Sequence, residues 1–179
     1  MKKGNAGLSL VELIVVIAII AVMSGVGLYG IGQISGYRAK QCAKQIESSL
    51  TSTKVTTLGK AKSTGDIYWE LYKDAANDGF YVKTVYNAGL ANEYAETKKV
   101  GVGNLNVQYS GTSIAGVVNT SNSLKLCYNR ASGEICDWSA APPSTYSRTN
   151  VTEILVKNPS GTKSYKITLV PATGKVVRK

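Results

Sequence analysis

The sequence predicts an α+β protein, in which one long N-terminal helix packs on a C-terminal antiparallel β-sheet head. Three observations carry that reading. Residues 13–37 contain no charged side chain. From Arg38 onward, apolar residues recur at steps of three and four, the spacing of one helix face. Beyond residue 62, short β-branched and aromatic runs alternate with turns rich in Gly, Asn, Asp and Pro.

Length and composition bound the rest. A chain of 179 residues that is 44% hydrophobic supports one globular domain plus one further element, not two independent cores. Eleven Tyr against a single Phe, Phe80, point to half-wet aromatic surfaces more than to a large dry core. Lys and Arg outnumber Asp and Glu by 21 to 11, a formal charge of +10. The cations are scattered singly, the densest groups being Lys60/Lys62 and Arg178–Lys179, and no Arg-rich stripe interleaved with aromatics appears. A solvated basic surface is therefore favoured over DNA binding. The chain has no His, the usual acid, base or metal ligand near neutral pH, which argues against an enzyme. Gly161-Thr162-Lys163-Ser164 lacks the glycine spacing of a phosphate-binding loop. Asp74 and Asp78 lack the other ligand positions of a calcium loop. No cofactor, metal or small-molecule substrate is expected.

The N-terminal segment is the most informative. Residues 13–37 are long enough to cross a bilayer, which takes about 20 mainly apolar residues. Lys2 and Lys3 precede the run and hold the N-terminus on the cytoplasmic side. An ordinary secretory signal has a shorter apolar core; Val22-Met23-Ser24-Gly25 mimics only its cleavage site. Glu12 stands at the entrance of the run. A carboxylate there is either a functional group or a headgroup-level residue stabilised by the positive end of the helix dipole.

The string Ala6-Gly7-Leu8-Ser9-Leu10-Val11-Glu12-Leu13 resembles the type IV prepilin family. Its processing motif is a short basic leader ending in Gly, an apolar residue after the cut, and Glu as the fifth mature residue. Here these are Lys2-Lys3, Gly7, Leu8 and Glu12, followed by the β-branched run Ile14 to Ile20. Leu8 stands where Phe is more common. The resemblance implies a pilin fold, cleavage after Gly7 by a membrane prepilin peptidase, and methylation of the new Leu8 amine. Loss of the leader lowers the formal charge to +8. The resemblance further implies a single-pass membrane precursor that assembles with copies of itself and other pilins, through pilus or secretion machinery, into an extracytoplasmic filament. Glu12 would set the register of incoming subunits. Two alternatives remain: a minor or competence pilin whose basic head holds DNA or a surface, and an anchored protein that never polymerises.

The domains expected are the leader 1–7, the membrane and assembly half-helix 8–37, the amphipathic half-helix 38–62 and the β-rich head 63–179. Gly25, Gly27, Gly30, Gly32 and Gly36 allow close packing or local unwinding. The inner stripe is Ala39, Cys42/Ala43, Ile46, Leu50, Thr53 and Thr57/Leu58. In the head, Asp66–Lys73 and Phe80–Tyr86 flank a turn and predict a hairpin. Residues 88–99 suggest a helical turn. Further strands are expected at 105–109, 114–118, 124–129, 151–157, 164–170 and 176–178, with an exposed loop at Pro142-Pro143. Cys127 and Cys136 have a hairpin-like spacing and are the preferred disulfide pair. Cys42, on the inner stripe, is either a buried thiol or a partner of one of them.

Overall fold

The computed structural model describes residues 10–60, 65–138 and 146–179, with backbone alone for residues 25–33. The chain forms two compact units, Met1–Ser35 and Gly36–Lys179. Helix α1 (Leu10–Gly59) contributes to both. Glu12 lies in its first turn, where a negative charge complements the helix dipole. Residues 8, 9, 61 and 62, at the ends of the expected helix 8–62, lie outside the described residues. The unwinding anticipated in the glycine-rich stretch is absent: the helical backbone runs unbroken from Gly25 to Gly36. Gly lowers helix stability without forbidding the conformation, and small residues are tolerated in closely packed helices.

In the second unit α1 is amphipathic. Ala39, Cys42, Ala43, Ile46 and Leu50 are fully buried, and Thr53 and Thr57 continue the stripe. Both threonines satisfy their hydroxyls within the helix, Thr53 donating to the Ser49 carbonyl and Thr57 to the Thr53 carbonyl. Back-bonding of this kind lets a polar residue sit in a core without an orphaned donor. Leu58, expected on the stripe, is 46% exposed; one residue past Thr57 turns it about 100° off the buried face.

Among the described residues ten strands follow: β1 (Asp66–Asp74), β2 (Gly79–Ala88), β3 (Tyr94–Val102), β4 (Asn106–Gly111), β5 (Ile114–Val117), β6 (Leu124–Tyr128), β7 (Ile135–Asp137), β8 (Val151–Lys157), β9 (Ser164–Val170) and β10 (Lys175–Arg178). They make two antiparallel sheets, ordered β3-β2-β1-β6-β7 and β10-β9-β8-β4-β5. The β1–β2 hairpin forms as expected. Its turn is held by Asp74, whose carboxylate accepts the Ala76 N–H and the Asn77 side-chain amide. The helical turn suggested for 88–99 is overturned, because residues 94–102 form β3. Ala, Glu and Lys favour helix locally, but the free edge of β2 offers a full hydrogen-bond ladder, and Tyr94 stacks on Tyr86 at 4.8 Å.

The main core gathers the α1 stripe with both sheets. Trp69 and Leu71 of β1, Val82 of β2, Leu126 of β6, Ile154 and Val156 of β8, and Ile167 and Leu169 of β9 all belong to it. Period-two alternation puts Ile67, Trp69 and Leu71 on the buried face of β1. Trp69 fills the helix–sheet interface and donates its indole N–H to Ser49 Oγ at 2.8 Å. Arg178 Nε lies 3.4 Å from Glu47 Oε2, linking β10 to α1.

A smaller cluster lies on the other face of the first sheet: Val85, Ala88, Cys127, Cys136 and Trp138, packed against Tyr68 and Tyr146. Tyr68 stacks on Trp138 at 4.7 Å. All three cysteines are buried and free, so the expected Cys127–Cys136 bridge is not formed. The two residues face each other across β6 and β7. The Asn129 N–H donates to the Glu134 carbonyl at 2.9 Å and the Trp138 N–H to the Lys125 carbonyl at 3.4 Å. Those bonds lie two residues to either side and make 127/136 a hydrogen-bonded pair. Opposed residues in that register hold their Cβ atoms about 5.5 Å apart, wider than the roughly 3.8 Å a disulfide prefers. Cys42 belongs to the main core, so the alternative bridges from it are not formed either.

Candidate assembly segment

The first described turns of α1 read Leu10-Val11-Glu12-Leu13-Ile14-Val15-Val16-Ile17-Ala18-Ile19-Ile20-Ala21-Val22-Met23-Ser24. Straight-chain and alanine residues favour helix here, and the β-branched ones cost little once their side chains pack. Every side chain in the stretch is exposed: Leu10 at 74%, Ile17 at 58%, Met23 at 70%. The helix is apolar on all sides, a pattern that belongs in a protein core or a bilayer and not in water. Its only polar side chains are those of Glu12 and Ser24. Ser24 turns its hydroxyl back onto the Ile20 carbonyl at 2.7 Å, so only the carboxylate of Glu12 presents a charge.

Val15, Ala18, Ile19, Val22 and Met23 line a shallow, wholly apolar groove along one side. The small Ala18 sits between larger neighbours at i, i+3, i+4 and i+7 spacing, the arrangement that receives a side chain from a second helix. The apolar run was legible in the sequence, but this groove was not, because uniform hydrophobicity hides which face Ala18 opens.

Of the residues singled out from the sequence, Glu12 stands in the first turn of α1. Gly7 and Leu8 lie outside the described residues. Among the described residues no helix is long and apolar enough to cross a membrane. The expected span 13–37 falls in part on residues 25–33, whose side chains lie outside the description. Cys127 and Cys136 are far in sequence from this segment and join the separate cluster of the head. Among the described residues, no group of His, Cys, Asp and Glu is placed to hold a metal ion.

A family model described as the prokaryotic N-terminal methylation motif matches residues 2–28. This chain carries the N-terminal methylation motif of type IV pilins and pseudopilins. The matched stretch takes in the basic leader, Gly7, Leu8, Glu12 and the grooved apolar turns of α1. The pilin-like assignment and the architecture agree, since a long N-terminal helix packs its second half on antiparallel sheets. No curated protein and no solved structure matches the chain.

Proposed function

We propose that the chain is a structural subunit, and not an enzyme, of a type IV pilus-like or type II secretion-like filament. The observation that carries this is the methylation motif over residues 2–28 running into a helix whose first turns are apolar all round and bear one carboxylate, Glu12. The precursor sits in the membrane by this half of α1, with the head outside the cytoplasm. A prepilin peptidase cuts after Gly7 and the Leu8 amine is methylated. The subunit then passes into a filament, where neighbouring helices replace lipid around the apolar turns.

The energetics fit the residues. Fully burying a Leu, Ile or Val side chain is worth about 1.5–3 kcal/mol relative to water. The exposed face of residues 10–24 is therefore untenable in water and satisfied equally by lipid or by other helices. Once in lipid, association rests on close packing, which the Ala18 groove supplies. The new amine of one subunit and the Glu12 carboxylate of a neighbour attract strongly in low dielectric. Desolvation offsets much of that gain, so the pair selects register more than it adds stability.

Glu12→Gln tests this reading in the native host. The variant should be cut and methylated normally, yet its filament yield should fall clearly below wild type, because incoming subunits lose the contact that sets their register. Wild-type filament yield from both Glu12→Gln and Glu12→Ala would refute the role of the carboxylate.

A further inference from the structure

We propose that the end of the Gly36–Lys179 unit where α1 enters is a docking surface for anionic phospholipid headgroups, formed by Arg38, Lys40, Lys44, Lys157 and Lys163. This rests on the reading above that the apolar half of α1 seats the precursor in a membrane. The chain enters the unit at Gly36, and Gly36 is buried against Lys163, whose Cγ lies 3.3 Å from where a Cβ on Gly36 would stand. The turn that carries Lys163 is fixed. Asn158 Oδ1 accepts the Lys163 N–H at 3.0 Å, and Asn158 Nδ2 donates to Ser160 Oγ and Thr162 Oγ1. Lys163 is thus held beside the entry point. Lys157 stands at the end of β8, paired with Asn106 and Ser164. The adjoining Leu105 packs with Gly101 against Cys42, a turn and a half above Gly36. Arg38, Lys40 and Lys44 project from α1 itself, and all three are exposed.

Charge at this end is one-sided. Among the described residues none of these five cations forms an ion pair. Of the acids nearby, Asp74 is engaged by Ala76 and Asn77, Asp78 lies 3.8 Å from Lys73, and Glu47, about one helical turn past Lys44, lies 3.4 Å from Arg178 Nε. Distance completes the case. A bilayer crossing of about 20 residues that begins beside Glu12 ends near residue 32, and only five residues of chain separate that point from Arg38. Attraction between the cations nearest that point and an anionic surface acts over the screening length of about 8–10 Å at ordinary ionic strength. Basic residues so close to a bilayer are attracted to anionic lipid over the same range. The surface would keep the head seated on the membrane until extraction into a filament.

The test uses the full chain in nanodiscs of phosphatidylcholine alone or with phosphatidylglycerol, at low and high salt, with hydrogen–deuterium exchange read over residues 158–166. Exchange should be several-fold slower in the anionic discs at low salt. The difference should vanish at high salt and in an Arg38→Glu/Lys40→Glu/Lys163→Glu variant whose β1 and β2 exchange matches wild type. Equal exchange in both lipids, with the chain retained in the discs, would overturn the lipid surface and leave the anchoring reading intact. Protection that ignores lipid charge and grows with protein concentration would make the partner a second copy of the chain and overturn the proposal. Failure of the chain to stay with discs of either composition would overturn the anchoring reading and this proposal together.

Discussion

Gly101 of β3 packs against Cys42 of α1, and it offers a sharp test of how the head is packed. A Cβ added at Gly101 would stand 2.8 Å from Cys42 Sγ and 3.2 Å from Leu105 Cδ1, but 3.4 Å from Cys42 Cβ. The first distance is an overlap, in a core where Cys42 is fully buried and cannot swing aside. Overpacking of this kind costs about 1–3 kcal/mol. Replacing Gly in a strand returns about 0.5–1 kcal/mol of backbone entropy. The net loss for Gly101→Ala is therefore roughly 0–2.5 kcal/mol, or a fall in Tm of up to about 10 °C for a unit of this size. Cys42→Ala alone leaves a small void and should cost about 0.5–1.5 kcal/mol, as deletion of one buried heavy atom does elsewhere. In the double variant the new methyl group occupies the space of the missing sulfur, at ordinary contact distance from the remaining Cβ. The two losses should then fall short of additive by at least about 1 kcal/mol. Thermal melts of the full chain in detergent, followed by the near-ultraviolet signal of Trp69 and Trp138, measure all four corners of the cycle. Additive losses would refute a direct clash between Gly101 and Cys42, and with it the placement of α1 on β3.

Burial pushes the Cys42 thiol up to about 12 and raises Cys127 and Cys136 as well. A thiol-specific reagent should label none of the three in the native chain at pH 8 and all three after unfolding without reductant; labelling of only one would show a Cys127–Cys136 bridge. At alkaline pH, burial and the Glu96 carboxylate push Tyr86 up to about 12, and burial raises Tyr128 and Tyr146. A raised folded-state value favours the neutral phenol, so this stability is complete below about pH 10 and is lost as the pH rises toward and past 12. Phenolate absorbance and unfolding should therefore rise together. Among the described residues, buried Tyr128 has no hydrogen-bond partner for its hydroxyl, an arrangement that costs about 1–3 kcal/mol. Tyr128→Phe should raise the Tm, whereas a lower Tm would mean the hydroxyl has a partner.

Much of the architecture was written in local pattern. The α1 stripe from Ala39 to Thr57 follows the 3.6-residue period, and β8 and β9 were bounded residue for residue by their alternation and by the Asn158–Gly161 turn. The failures were non-local. Residues 94–102 have helical composition and become a strand only because β2 presents an edge. At three residues, β7 is too short to show a period and exists through its pairing with β6. The Cys127–Cys136 spacing suggested a hairpin correctly, yet whether opposed cysteines bond depends on register, which spacing does not encode. Glu12 was legible because a single carboxylate at the mouth of an apolar helix is costly enough to need a reason. The groove at Ala18 and the basic end around Gly36 were not, since each joins residues whose shared surface appears only in three dimensions.

The central claim is that the chain is a processed pilin-like subunit, and intact mass with N-terminal sequencing of the protein from its native host tests it most directly. The account predicts a chain that begins at Leu8 and carries one added methyl group. A chain that still begins at Met1, or one cut near Ser24, would contradict it.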